Sequence, residues 1–236
     1  MRLLRQLPNL ITLLNLFSGC IALIFAFHDN FLYAFGFVAL GIFFDFFDGF
    51  FARILNASSP LGLQLDSLAD MVTSGVTPGL VMYKMLLDTV KSHDLPVWLP
   101  YLGFVITLGS CYRLANFNID TRQTDSFIGL PTPANALFIL SLPLVLANTD
   151  SLIVLELLVT PWVLLLITAL SAYMLNAEIP LFALKIKKFS LKENSLQITF
   201  LAICILLLVF FRYAGIPLII LTYVGMSLVT NRLVKK

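Results

Sequence analysis

Four aspartates stand where charge is unfavourable. Asp45 and Asp48 fall inside one long apolar run, and Asp66 and Asp70 inside the next. A charge at mid-bilayer costs about 2.5–3.5 kcal/mol even on the lenient insertion scale, so four of them in membrane-length runs point to a function. At about 100° per residue, Asp45, Asp48, Gly49 and Ala52 share roughly 100° of arc on one helix, with Arg53 at its edge. Gly62, Asp66 and Asp70 follow at i, i+4 and i+8 and form one stripe on the next helix. Two consecutive helices joined by a short turn run antiparallel, so the two acidic faces can meet. Carboxylates brought together repel each other and require a neutralising partner. No His or Cys lies nearby, which disfavours zinc. Clustered carboxylate oxygens suit a hard cation, Mg²⁺ or Mn²⁺, and two divalent ions balance four acids. Gly49, Ala52 and Gly62 leave room between the helices. A phosphate-bearing substrate suits that room, because Mg²⁺ completes its shell with substrate phosphates. Arg53 can grip a phosphate oxygen.

The elements that carry these residues are membrane helices. Of the 236 residues, 59% are hydrophobic and 12% charged, against about 25% charged in a soluble domain. That balance excludes a soluble globular protein, a disordered chain and a nucleic-acid binder. It predicts an all-α, polytopic integral membrane bundle. Apolar runs of membrane length predict about eight transmembrane helices, near residues 10–27, 31–54, 61–87, 97–117, 133–147, 152–175, 196–211 and 216–229. The third is expected to break at Thr77-Pro78-Gly79. Placing the N-terminus in the cytoplasm puts 12 of the 15 basic residues on that side, leaving Lys84, Lys91 and Arg212 outside. Both termini and the acidic site then face the cytoplasm, at the inner membrane. Arg2 and Arg5 beside Leu3, Leu4 and Leu7 predict a short N-terminal helix lying in the interface. The charged start resembles a signal peptide, but no small-residue cleavage site follows, so a retained first span is expected. One domain is expected over residues 1–236, with catalytic helices at about 31–76 and C-terminal spans at about 196–229. The three cysteines, Cys20, Cys111 and Cys204, lie in apolar runs without metal-ligand spacing.

Asp45, Asp48, Gly49, Ala52, Arg53, Gly62, Asp66 and Asp70 stand at the spacing of a known signature. The chain resembles the CDP-alcohol phosphatidyltransferase family. The resemblance implies transfer of a phosphatidyl group from a CDP-linked lipid to an alcohol, with CMP leaving. It also implies roles. Asp45, Asp48, Asp66 and Asp70 would hold two metal ions. Asp70 would also serve as general base for the acceptor hydroxyl. Gly49, Ala52, Arg53 and Gly62 would line the nucleotide site. A homodimer is implied as well.

Further segments resemble the serine-using branch of that family. They are Pro8-Asn9-Leu10-Ile11-Thr12 with Asn15, Leu16 and Gly19; Leu65 to Asp70 leading into Gly75-Val76-Thr77-Pro78; Tyr112 to Asn118; and Gly129 to Ala134. The expected substrates are therefore CDP-diacylglycerol and L-serine. Glycerol 3-phosphate and inositol phosphate are the alternative acceptors. Serine is a small zwitterion whose carboxylate needs a cationic partner. Arg113 and Arg122 are candidates, and Thr132 can offer a hydrogen bond. A reading from a different class is a divalent-cation transporter using the four acids. Arg53 directly after the first acidic pair places the site near one membrane face, which favours an enzyme.

Overall fold

The computed structural model describes residues 6–120, 127–182 and 194–234. Ten α-helices account for most of them: α1 (Leu7–Phe27), α2 (Phe31–Ile54), α3 (Pro60–Asp70), α4 (Thr77–Ser92), α5 (Val105–Ile119), α6 (Thr132–Asn148), α7 (Leu152–Val159), α8 (Pro161–Asn176), α9 (Ser195–Phe211) and α10 (Gly215–Val234). Two two-residue strands, β1 (Phe127–Ile128) and β2 (Pro180–Leu181), pair antiparallel with Phe127 opposite Leu181. The expected interfacial helix around Arg2 and Arg5 and the basic connector at Lys185, Lys187, Lys188 and Lys192 lie outside the described residues.

Apolarity and length make α1 and α2 candidate membrane spans, together with the helical stretch from Ser195 to Asn231. That last stretch is a hairpin. Arg212 takes φ 47°, and the ring of Phe200 lies 5.6 Å from that of Tyr223, which only a reversed chain permits. The sixth predicted run is not one straight helix. It bends by 74° between α7 and α8. Thr160 is extended ahead of Pro161, as a residue before proline tends to be, and Pro161 has no N–H to continue the ladder. With the bent pair counted as one, up to four candidate spans pass on length and composition among the described residues, fewer than the eight expected. The expected break at Thr77-Pro78-Gly79 is also absent. Residues 60–92 are helical throughout, and a π-helical segment at Met71–Val76 precedes Pro78. The missing proline N–H is absorbed by that wider turn, where the Thr77 hydroxyl donates to the Val72 carbonyl at 3.0 Å.

The bundle divides into an apolar half and a polar half. Ala22, Ala26, Ala34 and Val38 let α1 and α2 approach closely, and Met82, Leu86, Ile139 and Leu164 complete the core around them. The turn between α1 and α2 is tied to α4 by Lys84, which pairs with Asp29 at 2.9 Å and donates to the Phe27 carbonyl. In the opposite half, α1 buries Thr12, Asn15 and Ser18 instead. There α2 and α3 are joined by a short turn. Ser59 caps α3 by accepting from the Gly62 N–H at 3.0 Å, and Pro60 opens the helix. The backbones of α2 and α3 pack more on α1 than on each other. Both lie along α1, which leaves a cleft between the acidic faces.

Gly129 makes the turn after β1 at φ +75°, with its N–H donated to the Ile179 carbonyl. A Cβ there would lie 2.6 Å from the Leu175 carbonyl oxygen. Gly129→Ala therefore forces a left-handed backbone and a clash together. The expected loss is about 1–3 kcal/mol, read as a lower melting temperature of the purified protein in detergent.

Candidate active site

Two helices deliver the acids and a third lines them. Asp45 and Asp48 come from α2, Asp66 and Asp70 from α3, and α1 supplies a polar face between them. One carboxylate oxygen each from Asp45, Asp48 and Asp66 lie within 4.8 Å of one another. Asp48 is buried, and its Oδ2 accepts a hydrogen bond from the Thr12 hydroxyl at 2.5 Å. Asp70 is buried too and is held by Asn15, whose Nδ2 donates to Asp70 Oδ1 at 3.0 Å. Asp66 Oδ1 is buried with no hydrogen-bond partner. Three close carboxylates, one with an orphaned oxygen, leave a site that lacks positive charge.

Two cavities flank the cluster and share Asp66. The first, about 190 Å³, is lined by Asp48, Gly49, Ala52 and Gly62, with Asn9, Thr12 and Ser59. The second, about 220 Å³, is lined by Asp45, Ser67, Asp70, Arg113 and Thr132, with Pro131 and Phe117. The expected single acidic face of α2 is thus split, with Asp48 and Asp45 turned to different cavities. Gly49 has nothing closer than 3.9 Å to where a Cβ would sit, so the first cavity stays open beside it.

The candidate acceptor residues part company. Arg113 is buried on α5, and its Nη1 donates to the carbonyls of Ile128 (2.9 Å) and Leu175 (3.3 Å). Thr132, buried at the start of α6, lines the same cavity. Arg53 is exposed and lines neither cavity. Arg122 lies outside the described residues.

Thr12, Asn15 and Thr73 had no assigned role in the sequence reading. Their signal was present in part. Thr12 and Asn15 are polar residues three apart in a mostly apolar helix, a spacing that leaves them only about 60° from each other around its axis. Thr73 gave no such signal, because its partners come from α1.

Comparison with known proteins places this constellation. The model of the CDP-alcohol phosphatidyltransferase family matches residues 5–173. The chain belongs to that family. The family match takes in both cavities and every described acid of the cluster, and it ends before the α9–α10 hairpin. Over 134 residues the chain is 38% identical to the CDP-diacylglycerol–serine O-phosphatidyltransferase of Bacillus subtilis, covering 55% of this chain and 71% of that protein. A protein of the same name in Helicobacter pylori is 35% identical over 134 residues, covering 56% and 54% respectively. The Saccharomyces cerevisiae protein of that name is 33% identical over 153 residues, covering 58% and 53%. The chain thus matches about half the length of the latter two. It is an enzyme of phospholipid biosynthesis and an integral membrane protein.

The donor set fits a divalent metal. All candidate ligands are carboxylate oxygens, the preferred ligands of Mg²⁺ and Mn²⁺, and the unpartnered Asp66 Oδ1 is an available one. Protein stripped with chelator and titrated with Mn²⁺ should bind it, as read by electron paramagnetic resonance. Asp66→Asn and Asp48→Asn should each weaken that binding more than about tenfold. Asp88→Asn, remote from the cluster, should leave it unchanged.

Proposed function

We propose that this enzyme transfers the phosphatidyl group of CDP-diacylglycerol to the hydroxyl of L-serine, giving phosphatidylserine and CMP. The observation that carries the reading is the pair of cavities meeting at Asp66. A displacement at phosphorus needs a donor on one side and an acceptor on the other. The names of the relatives support serine as the acceptor. Glycerol 3-phosphate and inositol phosphate are the alternatives.

In this reading the cavity beside Gly49, Ala52 and Gly62 receives the cytidine nucleotide, and its small residues admit the pyrophosphate close to the helix backbones. Arg53 stands at the rim, where its long side chain can reach a phosphate. The cavity beside Asp45, Asp70 and Arg113 receives serine. Arg113 offers its guanidinium to the serine carboxylate with the nitrogens not used on Ile128 and Leu175, and Thr132 offers a hydroxyl. Asp70 accepts the proton of the serine hydroxyl as its oxygen bonds to the phosphorus that carries diacylglycerol. The bond from that phosphorus to the CMP phosphate oxygen breaks, and CMP departs. Two divalent ions held by Asp45, Asp48, Asp66 and Asp70 supply the positive charge that offsets the phosphoryl oxygens. Walls of Pro131, Phe117 and Leu114 around the acceptor limit water and favour alcoholysis over hydrolysis.

The proposal extends to the whole chain as one domain with eight spans. Residues 60–92, 99–119 and 132–148 complete the count, and the α9–α10 hairpin gives the last two. Both termini and the site face the cytoplasm, which is where the basic residues concentrate and where CMP and serine are soluble. Two copies form a homodimer.

The deciding assay supplies CDP-diacylglycerol and Mg²⁺ or Mn²⁺ to purified protein and follows CMP release. Serine, glycerol 3-phosphate, inositol and inositol phosphate are compared in parallel. Serine-dependent release is expected, with Asp70→Asn lowering kcat by about 10²–10⁴-fold. Release with another acceptor alone overturns the choice of serine, and no release with any overturns the transferase reading.

A further inference from the structure

We propose that Asn15 and Thr73 are a positioning pair for Asp70, fixing which carboxylate oxygen is turned to the acceptor hydroxyl. The inference rests on Asp70 acting as the base. It adds two residues that touch neither cavity.

The direction of every hydrogen bond in the pair follows from Asp70. An ionised carboxylate only accepts, so the amide edge of Asn15 that faces it must be the NH₂ group. Nδ2 donates to Asp70 Oδ1 at 3.0 Å. The amide oxygen is thereby turned the other way, toward α3's π-helical continuation. There the Thr73 hydroxyl donates to Asn15 Oδ1 at 2.8 Å, with the Asn15 backbone carbonyl at 3.2 Å as a second acceptor for the same proton. Thr73 thus holds the amide in the one orientation that can restrain Asp70. A threonine without its hydroxyl would leave Asn15 Oδ1 buried and unpartnered, and the amide free to turn.

Packing leaves the pair no slack. Asn15 and Thr73 are both fully buried. On α1, a Cβ at Gly19 would lie 2.4 Å from Thr73 Oγ1 and 3.0 Å from the Thr73 backbone. On α2, a Cβ at Gly41 would lie 2.7 Å from Thr73 Cγ2 and 2.8 Å from Asn15 Oδ1. Two helices without side chains at these points close on Thr73 from both sides. Thr73 belongs to the π-helical segment Met71–Val76, which begins directly after Asp70. The base and the residue that orients its holder therefore share one rigid stretch of chain.

The experiment measures steady-state kcat and KM for both substrates in detergent, for Thr73→Val, Thr73→Ser, Asn15→Ala and Asp70→Asn. Valine keeps the shape of threonine and removes the hydroxyl, whereas serine keeps the hydroxyl. Thr73→Val is expected to lose about tenfold in kcat, with both KM values within about twofold, and Thr73→Ser to keep wild-type kcat. Asn15→Ala is expected to show the same kcat-selective loss, and it decides the matter should Thr73→Val fail to purify as a folded protein. Wild-type kcat in the folded variants overturns the proposal. So does an equal fall in Thr73→Val and Thr73→Ser, which would assign the effect to packing of the methyl group. A loss confined to KM overturns it as well. Asp70→Asn separates the two readings. Near-normal kcat there overturns Asp70 as the base, whereas a large loss with unaffected Thr73→Val and Asn15→Ala preserves the base and removes only the positioning pair.

Discussion

Mutual repulsion among carboxylates governs this structure. Asp45, Asp48 and Asp66 bring an oxygen each to within 4.8 Å of the others in a predominantly apolar bundle. Coulomb energies rise steeply as the local dielectric falls, so the cluster is far more demanding here than at a soluble surface. The fold answers by packing α2 and α3, which carry the acids, along α1 more than on each other. The resulting cleft holds the first cavity, and the second opens where α3 faces α5 and the start of α6. Closing it would bury like charges without a counterion. Holding it open leaves space for cations and phosphates, which is what a phosphatidyl transfer needs.

The same constraint explains why α1 changes character along its length. Its second half uses Ala22 and Ala26 to pack tightly on α2, as membrane helices do when only van der Waals contact holds them. Its first half buries Thr12 and Asn15, which donate to Asp48 and Asp70. Hydrogen bonds to charged groups are stronger than neutral ones, and each such donor offsets part of the lost hydration of a buried acid. The π-helical turn after Asp70 extends this arrangement, since it carries Thr73 to Asn15 across the groove left by Gly19 and Gly41.

What was legible in the sequence follows from how locally each feature is encoded. The acids were legible because their helical phase depends only on residue spacing, and their chemistry is alien to apolar runs. The bounds of α2 and the start of α3 were close as well, because the apolar runs are interrupted between them. Pro161 was legible as a place for a kink or a helix start, but the 74° size of the bend was not, because apolarity is continuous across it and proline is tolerated in many membrane helices. Thr77-Pro78-Gly79 was read as a break, since the sequence shows the missing N–H of Pro78 but not how the π-helical turn through residues 71–76 absorbs it. The two short strands were invisible, as two residues carry no periodicity. The division of Asp45 and Asp48 between two cavities, and the exposed position of Arg53, depend on where α1 and α5 pass. No spacing within α2 contains that information.

The cavity beside Asp70 depends on a chain of supports that begins outside the family match. The Tyr223 hydroxyl on α10 donates to the Phe182 carbonyl at 2.9 Å, next to β2. The ring of Phe182 packs between Phe200 and Tyr223 of the C-terminal hairpin. β2 pairs with β1, and the β1 carbonyl of Ile128 accepts from Arg113 Nη1, which also holds the end of α8 at Leu175. Arg113 is therefore both a strut of the wall and a cation lining the cavity beside Asp70. A guanidinium suits that double use, because its five donors point in several fixed directions and its charge is not lost at any working pH. Lysine could satisfy one carbonyl or face the cavity, but not both in a planar fork. The C-terminal hairpin, though remote from the acids, thereby reaches the cavity beside Asp70 through one arginine. Changes in its packing should act on the cavity beside Asp70 while leaving the one beside Gly49 and Gly62, which rests on α1, α2 and α3, to its own supports.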